Sequence, residues 1–114
     1  MDAATEFAAL KELHPAAAVH QEGGVPVVLL PATKFRSAGV AMQMNLLLHP
    51  SAHSGYDTRL FFEHKILGTA QNWKDDNWTQ HTVLSRSWWT PSWRYVSPGQ
   101  PWTSMLMAHL RSVA

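Results

Sequence analysis

The chain of 114 residues contains no cysteine. That excludes a disulfide framework, a thiolate zinc site and any chemistry that runs through a thiol. Charge is scarce as well. Only 15% of residues are charged against 46% hydrophobic, which points to a folded globule and away from intrinsic disorder. Nine basic and eight acidic residues nearly cancel, so a nucleic-acid-coating protein is not expected. Carboxylates are missing altogether after Asp76, where Arg86, Arg94, Arg111, His81 and His109 remain. The last third is therefore either a basic face that meets an acidic partner or simply a segment poor in charge. No apolar run approaches the length of a membrane-spanning helix, and the start, MDAATEFAALKELHP, lacks the basic opening and continuous apolar stretch of a signal peptide. A soluble, cytoplasmic single domain of residues 1–114 is expected, with no membrane partner.

What the chain has in abundance is tryptophan. Residues 79–102, TQHTVLSRSWWTPSWRYVSPGQPW, together with Trp78 just before them, hold five of the six. Such a concentration marks either the packed centre of a small domain or a contact surface.

In chain order, residues 2–13 predict a helix: Ala3, Phe7 and Leu10 fall on one face, Asp2 or Thr5 can cap the start, and Pro15 ends it. Residues 16–24 read as a connection closing on the turn signal Glu22-Gly23-Gly24. Residues 25–30 form an apolar strand stopped by Pro31, with 33–36 as a prolongation and Ser37-Ala38-Gly39 as a turn. Residues 40–48 alternate as a strand with one face buried. After the polar loop HPSAHSGYD, residues 58–66 alternate again and predict its antiparallel partner. Residues 67–77 read as loop, 81–84 as a short fourth strand, and 88–100, broken by Pro91, Pro98 and Gly99, as an ordered irregular segment. Pro101 opens a last helix over 101–113, with Met105, Leu106, His109, Leu110 and Val113 at helical spacing. The predicted class is α+β: an N-terminal helix, an antiparallel meander of three or four strands, a Trp-rich irregular segment and a C-terminal helix.

Several residue sets invite chemistry. His49-x3-His53, with Asp57 and His64 beyond, has the residue types of a metal site, but Pro50 and Gly55 place the pair in a loop where the spacing says little, and no metal or cofactor is expected. Ser85 or Ser87 with His81 and Asp57 supplies the parts of a nucleophilic triad without a G-x-S-x-G turn to support it. Asp75 and Asp76 are adjacent and solvated, a poor pair for glycoside hydrolysis. Arg86, Trp88, Trp89, Trp93, Arg94 and Tyr95 join rings with cations, as a single-stranded nucleic-acid or protein contact would need.

The blocks Leu10-Lys11-Glu12-Leu13-His14-Pro15, Val27-Val28-Leu29-Leu30-Pro31 with Phe35, and Leu46-Leu47-Leu48-His49-Pro50 lead to Gly55-Tyr56-Asp57 and Arg59-Leu60-Phe61-Phe62. Ser85-Arg86-Ser87-Trp88-Trp89, Ser92-Trp93-Arg94, Pro98-Gly99 and the closing His109-Leu110-Arg111 follow. In order and spacing they resemble a bacterial family related to ubiquitin-conjugating enzymes. The resemblance covers nearly the whole chain. It implies that superfamily's helix, antiparallel meander and C-terminal helix, and the role of a carrier that accepts a ubiquitin-like modifier from an activating enzyme and passes it to a target amine. Such a carrier needs a cysteine, because a thiolate is a good leaving group and a serine ester is far more inert. None is present, so either the nucleophile has been replaced or this is a degenerate member that binds without catalysing. Its place would fall between the meander and the last helix, where Ala70, Ser85, Ser87 and Ser92 are the small residues. His81 is then the candidate to polarise the acyl carbonyl or orient the amine. Partner contact falls to Arg86, Trp88, Trp93 and Arg94, the surface that a non-catalytic adaptor or inhibitor would use as well.

Overall fold

The computed structural model describes residues 2–68 and 75–114. Helix α1 spans Ala3–Leu13 and starts where the sequence provides a cap: the Asp2 carboxylate accepts the Thr5 backbone N–H at 2.8 Å. Helix α2 spans Trp102–Arg111 behind Pro101, which offers no side-chain cap. Its first N–H finds an acceptor on the other helix instead, where the buried carboxylate of Glu6 receives the Trp102 N–H at 3.2 Å. A carboxylate at a helix N-terminus also meets the positive end of the macrodipole, so Glu6 fastens the two helices together.

Among the described residues six strands lie between the helices, β1 (Ala18–Glu22), β2 (Val25–Ser37), β3 (Val40–His49), β4 (Arg59–Phe62), β5 (Trp78–Val83) and β6 (Arg86–Pro91). They form one sheet in the order β1-β2-β3-β4-β6-β5, every pair antiparallel. The α+β class therefore stands, and the meander is longer than the three or four strands expected. The added strands are β1, inside residues 16–24 expected as a connection, and β6, inside residues 88–100 expected as irregular; only residues 92–100 lack helix and strand. β2 is continuous through Pro31, because a register shift between Leu30 and Thr33 takes up an extra residue there. The Asn45 side chain accepts the Ala32 N–H at 2.9 Å and steadies that bulge. β4 is shorter than the expected 58–66, ending at Phe62.

Alternation sends each strand's side chains to two faces, and here both are covered. On one, Val28, Leu30, Leu46, Leu48, Leu60, Phe62 and Trp78 pack against Leu10, Trp102, Met105 and Leu106 of the helices. On the other, Val27, Leu47, Phe61, Val83 and Trp88 form a second apolar cluster to which, among the described residues, no helix contributes. The sheet covers that cluster by curling. Edge strands of a flat six-stranded sheet lie roughly 24 Å apart. Here the Glu22 carboxylate at the end of β1 accepts the Leu84 N–H in the β5–β6 turn. Trp88 is thereby enclosed, and its indole N–H donates to the Val83 carbonyl at 3.0 Å.

Candidate functional site

At one end of this second face, polar residues replace apolar ones. β3 closes on His49, which pairs across the ladder with Arg59, the first residue of β4. The loop between them folds back through Ser54-Gly55, both at positive φ, so that His53 and Tyr56 exchange backbone hydrogen bonds of 2.9 and 3.1 Å. His81 of β5 reaches the same place because it lies opposite Trp88 in the β5–β6 ladder and shares its face. The rings of His49 and His53 sit 5.0 Å apart and those of His53 and His81 5.1 Å apart, edge to face, with Phe61 beneath them.

The hydrogen bonds fix which nitrogens carry protons. A carbonyl only accepts, so His49 Nδ1–H donates to the Ser51 carbonyl, at 2.8 Å. A guanidinium only donates, so the Arg59 Nη1 bond of 3.0 Å makes His81 Nε2 the acceptor and puts the His81 proton on Nδ1. The Thr79 hydroxyl lies 2.9 Å from the same Nε2. Burial holds all three imidazoles below their ordinary range, and the Arg59 charge pushes each in the same direction. His53 is driven furthest, to about 4, by burial and then by His49, His81 and Arg59. The cluster is thus a set of neutral imidazoles beside a fixed cation. Arg59 itself is 3% exposed, and its guanidinium stacks 3.9 Å from the centroid of Tyr56. The exposed Arg94 stacks on that ring too, at 4.5 Å. A hydrogen bond with Ser92, and then the two guanidiniums, hold the Tyr56 phenol below its usual range.

The positions singled out in the sequence fall in different places. Ser85 sits in the β5–β6 turn, exposed and at positive φ, and Ser87 is exposed opposite Thr82, on the sheet face away from His81. Neither hydroxyl meets the His81 imidazole, whose hydroxyl neighbour is that of Thr79. Ser92 donates to the Asn77 carbonyl at 3.3 Å, and Ala70 lies outside the described residues. The Trp/Arg surface divides in two. Arg86 stands at the β5–β6 turn and lines, with His20, Glu22 and Leu84, a cleft of about 520 Å³; Arg94 stacks on Tyr56. Trp88 is not a surface residue: at 1% exposure it is core, because the curl of the sheet closes over it. Trp93 is half-buried, with Tyr95 packed edge-on at 5.4 Å and 83% exposed.

His49 and His53 do come together as their spacing invited, but without Asp57 and His64, both exposed. Among the described residues, no three histidine or carboxylate side chains are arranged to hold a metal ion. Tyr56, Arg59 and Thr79 escaped sequence reasoning. The one local signal was a charged residue opening the apolar run Leu60-Phe61-Phe62. Comparison of the chain with protein-family models, with curated proteins and with solved structures finds no match.

Proposed function

We propose that this chain is a ubiquitin-conjugating-enzyme-like domain of the bacterial cytoplasm that binds a ubiquitin-like modifier, and the activating enzyme or target presented with it, without a covalent step. One observation carries the reading: the chain has no thiol. A carrier must hold its acyl group as a reactive thioester, and a hydroxyl could stand in only with a base beside it. Ser85 and Ser87 have no imidazole partner, and His81, whose Nε2 is occupied by Arg59, is poorly placed to take a proton from either. Support for the family comes from the element order. An N-terminal helix, a consecutive antiparallel meander β1-β2-β3-β4 and a C-terminal helix are what the sequence resemblance implies.

Calorimetric titration of the chain with a bacterial ubiquitin-like modifier tests this. The expected result is saturable binding that survives deletion of the modifier's C-terminal glycine, because no bond forms at that carboxylate. Binding that disappears with that deletion, or no binding at all, would remove the reading.

A further inference from the structure

We infer that the cluster of Arg59, Arg94, Tyr56, His53 and His81 binds a phosphate group. The inference stands apart from the pathway reading, since it rests on the local balance of charge and hydrogen bonds.

A guanidinium cannot shed its proton to escape burial, so a buried arginine needs an anion or a full set of acceptors. Arg59 has neither. The ion pair among the described residues joins Lys65 to Asp75, away from it, and Asp57, its nearest acidic neighbour in sequence, is exposed and makes no ion pair with it. One Arg59 donor is taken by His81 and another meets the Tyr56 hydroxyl, while its Nε is buried without a partner. His53 Nδ1, on the ring next to His81, is a second buried atom with no partner. A buried cation left without a counter-charge in this way draws an anion to the surface above it.

Arg94 gives the site its second charge. Both guanidiniums stack on the ring of Tyr56, at 3.9 and 4.5 Å, which holds two like charges within roughly 8 Å of each other. That arrangement is repulsive when empty and is relieved by an anion lying beside the ring, near both charges. The surrounding groups are imidazoles and the Tyr56, Thr79 and Ser92 hydroxyls; the carboxylate whose charge reaches the cluster, Glu22, acts on His49 and is bound to the Leu84 N–H. A dianion matches two fixed cations, and its several oxygens suit donors converging from a loop, two strands and the segment after β6; a carboxylate would satisfy one cation and leave the other. Arg94 is exposed while Arg59 is buried, so the ligand enters from the Arg94 side and its oxygens meet Arg94, the half-buried imidazoles and Tyr56, with Arg59 beneath.

The test is a titration of the whole chain with inorganic phosphate, with phenyl phosphate and with acetate at constant ionic strength, followed by the histidine and arginine side-chain NMR signals. Phosphate is expected to give saturable shifts at His53, His81 and Arg94, with acetate at least tenfold weaker. Arg94→Gln, an exposed change that leaves the fold intact, is expected to weaken phosphate by about tenfold. Tighter binding of the phenyl ester would assign the group to a larger phosphorylated ligand, and tighter binding of inorganic phosphate to the free ion; either supports the site. Shifts that do not saturate, acetate binding as tightly as phosphate, or an Arg94→Gln variant with undiminished affinity would each overturn it.

Discussion

Trp88→Ala is expected to destabilise the domain by about 3–5 kcal/mol, the usual cost of emptying a buried tryptophan site. Trp88 is 1% exposed at the centre of the apolar cluster with Val27, Leu47, Phe61 and Val83. Among the described residues no helix contributes to this cluster, so the curled sheet has little else with which to fill the space. Its indole N–H is also the partner of the Val83 carbonyl, which loses that bond in the variant. A domain of this size has on the order of 5–15 kcal/mol of stability in total, so a large share of it rests on one ring. Tyr95→Ala, at an 83% exposed position, is the matched control and is expected to change stability by less than about 0.5 kcal/mol. Urea denaturation of the two variants decides the matter. Equal midpoints would return Trp88 to the protein surface and undo the closed second face.

The second large effect is on acid stability. His109 of α2 is 4% exposed, and the Thr58 hydroxyl, which donates to the Val96 carbonyl at 3.0 Å, accepts from His109 Nε2–H at 2.9 Å. Burial, and then the Arg59 charge, push its pKa from 6.5 down to about 4. Between those values the unfolded chain takes up a proton that the folded chain refuses. The stabilisation is therefore complete above about pH 6.5 and is lost as the pH falls towards 4, amounting to about 3 kcal/mol. His49, His53 and His81 are shifted in the same direction and add to the slope. His109→Gln isolates the one contribution, since the amide N–H can still donate to Thr58 and cannot titrate. Urea melts at pH 7 and pH 4.5 are expected to show the parent losing at least about 2 kcal/mol more than the variant. Equal losses would mean that His109 titrates normally in the folded state.

The parts of this fold that were legible in the sequence are those fixed by near neighbours. Phe7 and Leu10 with Pro15, and Met105, Leu106 and His109 behind Pro101, specify helices through spacing and punctuation alone. The turn at Ala38-Gly39 and the alternation of β3 were equally local. β1 was hidden because Ala18-Val19-His20-Gln21-Glu22 is a polar edge strand, mostly exposed and recognisable only by its pairing with β2. β6 was hidden because both its faces are partly covered. Trp88, Thr90 and Pro91 are buried and Trp89 half-buried, which erases alternation and makes the segment look irregular. The site was half visible. His49, His53, His81 and Arg94 carry the residue types that draw notice, but of the serines expected beside His81, Ser85 lies in the β5–β6 turn and Ser87 is turned away by a one-residue change of face. Arg59 and Tyr56 become its centre only through the His49–Arg59 pairing and the Ser54-Gly55 turn, which bring residues from the two ends of a loop together.

The role proposed for this chain is binding without transfer. The direct measurement is the intact mass of the denatured chain after incubation with a ubiquitin-like modifier, its activating enzyme and ATP. The predicted result is the unmodified mass, recovered from a mixture in which the native complex was present beforehand. A species heavier by one modifier that survives denaturation would contradict it, and would make a hydroxyl or amine of this chain an acyl acceptor.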